Sequence, residues 1–95
     1  MKAELITRFH NISDDDTGIE MVIWKLPAPV SPSTHGYKYR LVYVKQGLRA
    51  VGFDNERGKG DHKHIGAQQF PYEFTDVDRL VDDFIKEVEK WQNEH

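Results

Sequence analysis

Apolar and polar positions alternate along the first part of the chain. From Lys2 to His10, Ala3, Leu5, Thr7 and Phe9 fall on one face and Lys2, Glu4, Ile6 and Arg8 on the other. This period of two predicts a half-buried strand. The run NISDDDTG, Asn11 to Gly18, predicts a turn, because short polar side chains bond to nearby backbone and glycine admits positive φ. Ile19 to Leu26 alternates again, with Ile19, Met21 and Ile23 opposite Glu20, Val22, Trp24 and Leu26, so the two strands predict a hairpin. Pro27, Pro29 and Pro32 remove backbone donors and predict an extended connector ending near His35, a residue that reads as incidental to any chemistry.

Tyr37–Val44 and Leu48–Phe53 flank the two-residue turn Gln46-Gly47 and predict a second hairpin. A regular register would pair Lys45 with Leu48, Tyr43 with Ala50 and Arg40 with Phe53. Tyr37, Tyr39, Leu41 and Tyr43 would then share one face, and Lys38, Arg40, Val42, Val44, Arg49, Val51 and Phe53 the other. Both faces are partly apolar. We take Val42, Val44, Val51 and Phe53 as facing the core, which leaves the tyrosines to pack or to form a stacking platform for bases. Phe70, Pro71, Tyr72 and Phe74 read as a short extended anchor, and Thr75 as the cap of a helix with Asp78 at its third position. Val77, Leu80, Val81, Phe84, Val88 and Trp91 recur at helical spacing as one apolar stripe. The expected fold is α+β: a single domain over residues 1–95, with an antiparallel sheet of about four strands in two hairpins and one C-terminal helix on one face.

Between these elements lies Phe53–Tyr72, FDNERGKGDHKHIGAQQFPY, which reads as a polar loop rather than a core strand or a regular helix. Asp54, Glu56 and Asp61 interleave with Arg57, Lys59 and Lys63, and Gly58, Gly60 and Gly66 allow the backbone to approach a ligand closely. His62 and His64 add groups that titrate near neutral pH. Metal-independent RNA cleavage needs a base for the ribose 2′-hydroxyl, an acid for the leaving oxygen and cations for the phosphorane. His62 and His64, two residues apart, would face one phosphate. With Lys59 and Tyr72 they form the expected catalytic set, and Arg40, Asn55, Arg57 and Lys63 the substrate contacts. This reading calls for no cofactor and no metal. Three alternatives use the same residues: a zinc or manganese site of His62 and His64 with Asp54 or Asp61, for which a firm third ligand is lacking; a structural loop fixed by hydrogen bonds among Asp54, Asn55 and the histidines; and a non-enzymatic module whose loop and sheet dock a protein partner or RNA.

The run YKYRLVYV, then FDNERGKGDHKHIG, then PYEF before an amphipathic helix, resembles the TumE family of bacterial toxin-antitoxin proteins. Its members share a Tyr-Arg-containing strand, a DN-x-x-GKG-x-H-x-H segment and a Pro-Tyr-x-Phe sequel. The resemblance spans Tyr37 to about Val88, and the N-terminal strand pair and Pro-rich connector also fit. It implies the toxin of a type II pair, acting on RNA or translation and neutralised by a cognate antitoxin.

Composition limits the setting. With 38% hydrophobic and 31% charged residues the chain is too apolar for disorder. There is no cysteine, hence no disulfide or thiolate metal site. No stretch has the length of a membrane span, and MKAELITRFH lacks a signal peptide's apolar run, so the expectation is a cytoplasmic protein without a membrane partner. The net charge of −3 argues against DNA as a partner of this chain alone. The segment Lys38–Lys63, however, is basic by four charges, which keeps one polyanion-facing surface, and RNA, open.

Overall fold

The computed structural model describes residues 3–28, 35–55 and 60–95. Six strands are followed by one helix: β1 (Glu4–Ile12), β2 (Gly18–Lys25), β3 (Tyr37–Lys45), β4 (Leu48–Asp54), β5 (His62–Ile65), β6 (Gln68–Pro71) and α1 (Val77–Glu94). Each strand pairs antiparallel with the next, giving one sheet in the order β1-β2-β3-β4-β5-β6. The α+β class and the helix on the sheet agree with the sequence reading. The strand count is corrected from about four to six.

The two added strands lie in the segment read above as a polar loop. HKHI alternates two imidazoles with Lys63 and Ile65, a period of two that high polarity disguises. Gly66, at φ 60°, opens the two-residue connection from Ile65 to its partner Gln68, as a type II′ hairpin turn requires. The turn between β3 and β4 has both Gln46 (φ 50°) and Gly47 (φ 81°) in the left-handed region, the type I′ requirement. In the first hairpin it is Asp16 (φ 59°), not Gly18, that takes positive φ. Gly18 is required by space, since a Cβ there would stand 2.0 Å from the Asn11 carbonyl oxygen.

The register between β3 and β4 departs from regular pairing. Lys45 faces Leu48 as expected and Val44 faces Arg49, but Tyr43 faces Val51, Leu41 faces Phe53 and Arg40 faces Asp54. Ala50 is the extra residue of a bulge. Because strand side chains alternate, one inserted residue moves every later side chain to the other face. Val51 and Phe53 therefore join Tyr39, Leu41 and Tyr43 beneath the helix, and the tyrosine face is the core face. Val42 is also buried, but on the far side.

Helix α1 covers this face through Leu80, Phe84 and Val88, which pack with Ile23, Leu41, Val51 and Phe53. The Phe53 and Phe84 rings meet edge to face, 5.9 Å between centroids. The cap is Asp76 rather than Thr75: its carboxylate accepts from the Arg79 amide at 2.8 Å. Among the described residues no helix is long and apolar enough to cross a membrane.

Candidate functional site

Strand alternation puts the chemistry on the face turned away from the helix. Phe53 points into the core, so Asp54 points to the far side. Lys63 reaches Glu87 of α1, so His62 and His64 point the other way. The pairings Arg40↔Asp54 and Asp54↔His62 align three side chains in one row across β3, β4 and β5. In the next row Gly52 lies between Val42 and His64. A Cβ on Gly52 would stand 3.1 Å from Cδ of Arg49, so the Arg49 stem occupies the space this glycine leaves.

Asp54, His62 and His64 form a tight cluster, with one ligand-type atom from each lying within 4.8 Å of the others. Nε2 of His62 is 2.5 Å from Oδ1 of Asp54, and Nε2 of His64 is 3.9 Å from Oδ2. The imidazoles sit edge to face, 4.9 Å apart. His62 is buried, and its Nδ1 lies 3.1 Å from the Gly60 carbonyl oxygen. A carbonyl only accepts, so Nδ1 carries the hydrogen and Nε2 is the atom turned to Asp54. The three side chains are only 13%, 7% and 15% exposed, so the cluster is largely shielded from water.

The other expected site residues are distributed differently. Arg40 is in the row, but its Nη1 donates to Glu20 at 2.8 Å. Glu20 also lies 3.0 Å from His10. Lys63 is on the helix face, paired with Glu87 at 2.7 Å. Tyr72 is on that side too, edge-on to Phe53 and donating from its hydroxyl to Asp83 at 2.7 Å. Burial and this bond push its phenol well above the usual tyrosine range. Asn55 is buried. Its Oδ1 accepts from the Tyr39 amide and its Nδ2 donates to the Tyr37 carbonyl, which fastens the end of β4 to β3. Lys59 and Arg57 lie outside the described residues.

Two placements escaped the sequence reading. Asp54, left out of the expected catalytic and substrate-binding sets and assigned above only to the alternatives, is the centre of the cluster. The signal for it was the period of two through Phe53-Asp54, which sends Asp54 away from a core phenylalanine. His35 is not incidental to the structure: its Nε2 lies 2.7 Å from Asp61 Oδ2, and its ring stacks on Phe74 at 4.0 Å. The Tyr39 hydroxyl donates to the same oxygen at 2.7 Å. Asp61 is thereby tied to the helix side and not to His62 and His64.

The fold and the site thus define a small sheet-and-helix protein with a shielded His–His–Asp centre beside exposed arginines. A family model described as Toxin TumE matches residues 2–92, and the chain belongs to that toxin family. Comparison with curated proteins and with solved structures found no match. Membership in a toxin family implies an antitoxin partner in general.

Proposed function

We propose that this chain is the toxin of a type II pair, neutralised by a cognate antitoxin protein, and that it cleaves RNA at the Asp54–His62–His64 cluster. The observation that carries the reading is the convergence of two imidazoles and a carboxylate on the far face, with Arg40 in the same row and the Arg49 stem over Gly52. Together they offer proton-transfer groups next to cations that recognise phosphate.

In the proposed reaction the ribose 2′-oxygen attacks phosphorus, its proton passes to a base in the cluster, and the bond to the 5′-oxygen breaks as that oxygen gains a proton. The products are a 2′,3′-cyclic phosphate and a 5′-hydroxyl. His64 is the more exposed imidazole and exchanges the proton, while Asp54 orients the pair and His62 stands behind them. Arg40 and Arg49 hold the phosphates, joined by Arg57 and Lys59. Lys63, Tyr72 and Asn55 support the platform from the helix side and the end of β4.

Expression of the chain in a bacterial cell, with and without the neighbouring gene, tests this directly. Growth arrest with fragmented RNA, both reversed by co-expression, is the expected result. Arrest with intact RNA would leave a toxin of another mechanism, one that binds its target without turnover.

A further inference from the structure

The closeness of Asp54 and His62 is hard to reconcile with a simple hydrogen bond. With Nδ1 committed to the Gly60 carbonyl, a neutral His62 turns the lone pair of Nε2 toward a carboxylate oxygen 2.5 Å away. The pair is not aligned as a hydrogen bond, and Oδ1 is buried with no hydrogen-bond partner among the described residues. Two electron-rich atoms brought together in a shielded place, one of them orphaned, are stable when a cation lies between them. The described cation nearest in the row, Arg40, is turned to Glu20.

We propose that Asp54, His62 and His64 bind a divalent transition-metal ion. Zinc held at about 2.0–2.2 Å from nitrogen and oxygen in a tetrahedral shell spaces its ligands by about 3.4 Å. The separations of 2.5 and 3.9 Å, within an overall spread of 4.8 Å, lie on either side of that value. An entering ion would therefore part His62 Nε2 from Asp54 Oδ1 and draw the outermost pair together by side-chain rotation. The Nδ1 contact of His62 with Gly60 is the outer-shell bond that fixes a ligating imidazole with Nε2 toward the ion. Two nitrogens and one oxygen suit zinc, cobalt or manganese, and do not suit magnesium, which prefers oxygen ligands and retains its waters. Three protein ligands leave a position open for water or a phosphate oxygen, where the ion acts as a Lewis acid, and the proton exchange assigned to His64 above then belongs to the metal-free chain alone. That use rests on the RNA-cleavage reading, whereas binding of the ion does not.

The full-length chain, purified and treated with chelator, is titrated with zinc chloride by calorimetry and with cobalt chloride by visible absorption. One equivalent of zinc should bind, cobalt should give the intense bands of a four-coordinate site, and magnesium should give no response. Asp54→Asn and His64→Ala, confirmed as folded by circular dichroism, should lose more affinity than the about 10–100-fold that an outer-shell partner costs. No stoichiometric uptake of zinc or cobalt by the unaltered chain would overturn the proposal, as would folded variants that bind like the parent. The cobalt spectrum of the unaltered chain decides the matter even if both variants fail to fold. Metal binding without RNA cleavage would sink the nuclease reading alone. Cleavage by the metal-free chain in chelator, without uptake, would sink the metal alone.

Discussion

Tyr43 pairs with Val51 and Val44 pairs with Arg49, so Ala50 has no partner of its own on β3. Leaving this residue unpaired decides which side of β4 is core and which is site. It turns Val51 and Phe53 under the helix and Asp54 to the opposite face. The bulge is tied down by the Gly66 amide, which donates to the Ala50 carbonyl at 2.8 Å. Pairing Ala50 with Tyr43 would send Phe53 out of the core, whereas deleting Ala50 removes the bulge and leaves Val51 opposite Tyr43 and Phe53 opposite Leu41. We expect the deletion to keep a cooperative urea transition followed by circular dichroism, and loss of that transition would contradict the assigned register.

The bulge also explains what could be read in advance. Both hairpins, the turn at Gln46-Gly47 and the helical stripe from Val77 to Trp91 were legible, because local turn chemistry and periodicity dictate them. The identity of the core face was not, since a bulge at Ala50 leaves no mark in the hydrophobic pattern. Strand β5 was hidden because His62 and Lys63 are polar, although both become shielded through partners distant in sequence, Asp54 and Glu87. Of β6, the end at Phe70 and Pro71 reads as extended but not as a paired strand. His62 and His64 were picked out correctly as neighbours on one face. That Asp54 joins them while Lys63 and Tyr72 turn to the helix depends on the register, which the sequence does not display.

The helix gives two stability predictions. Phe84 is fully buried against Phe53, so Phe84→Ala should cost about 3–5 kcal/mol in denaturant melts. A loss below about 1 kcal/mol would mean that the helix is not a core element.

At the start of the helix, Asp76→Ala should cost about 1 kcal/mol through loss of the cap on the Arg79 amide. Thr75→Ala, measured beside it in the same urea melts, should change little. Equal losses would contradict the assignment of the cap.

Alkaline pH should unfold the protein in a defined direction. Burial, with the bond to Asp61, raises the Tyr39 phenol far above its ordinary 10.0, and burial with the bond to Asp83 raises Tyr72. Above pH 10.0 the unfolded chain releases these protons while the folded chain keeps them, so the unfolded state binds fewer protons and stability falls as pH rises. Below that value their contribution is fully present. The urea midpoint should drop between about pH 10 and 12, and less steeply in Tyr39→Phe. A flat profile in the parent would contradict the burial of these hydroxyls.

The central claim is that RNA is cleaved through its own 2′-hydroxyl at the Asp54–His62–His64 cluster. The most direct measurement is single-turnover cleavage of a short labelled RNA by the purified chain and by His64→Gln, with thermal midpoints followed in parallel. We predict products ending in a 2′,3′-cyclic phosphate and no cleavage where the scissile nucleotide is 2′-deoxy. His64→Gln should slow cleavage by at least about a hundredfold, in the range typical for a lost general acid or base, with a midpoint within a few degrees of the parent's. Undiminished cleavage by folded His64→Gln, or cleavage of the 2′-deoxy substrate at the parent rate, would contradict it.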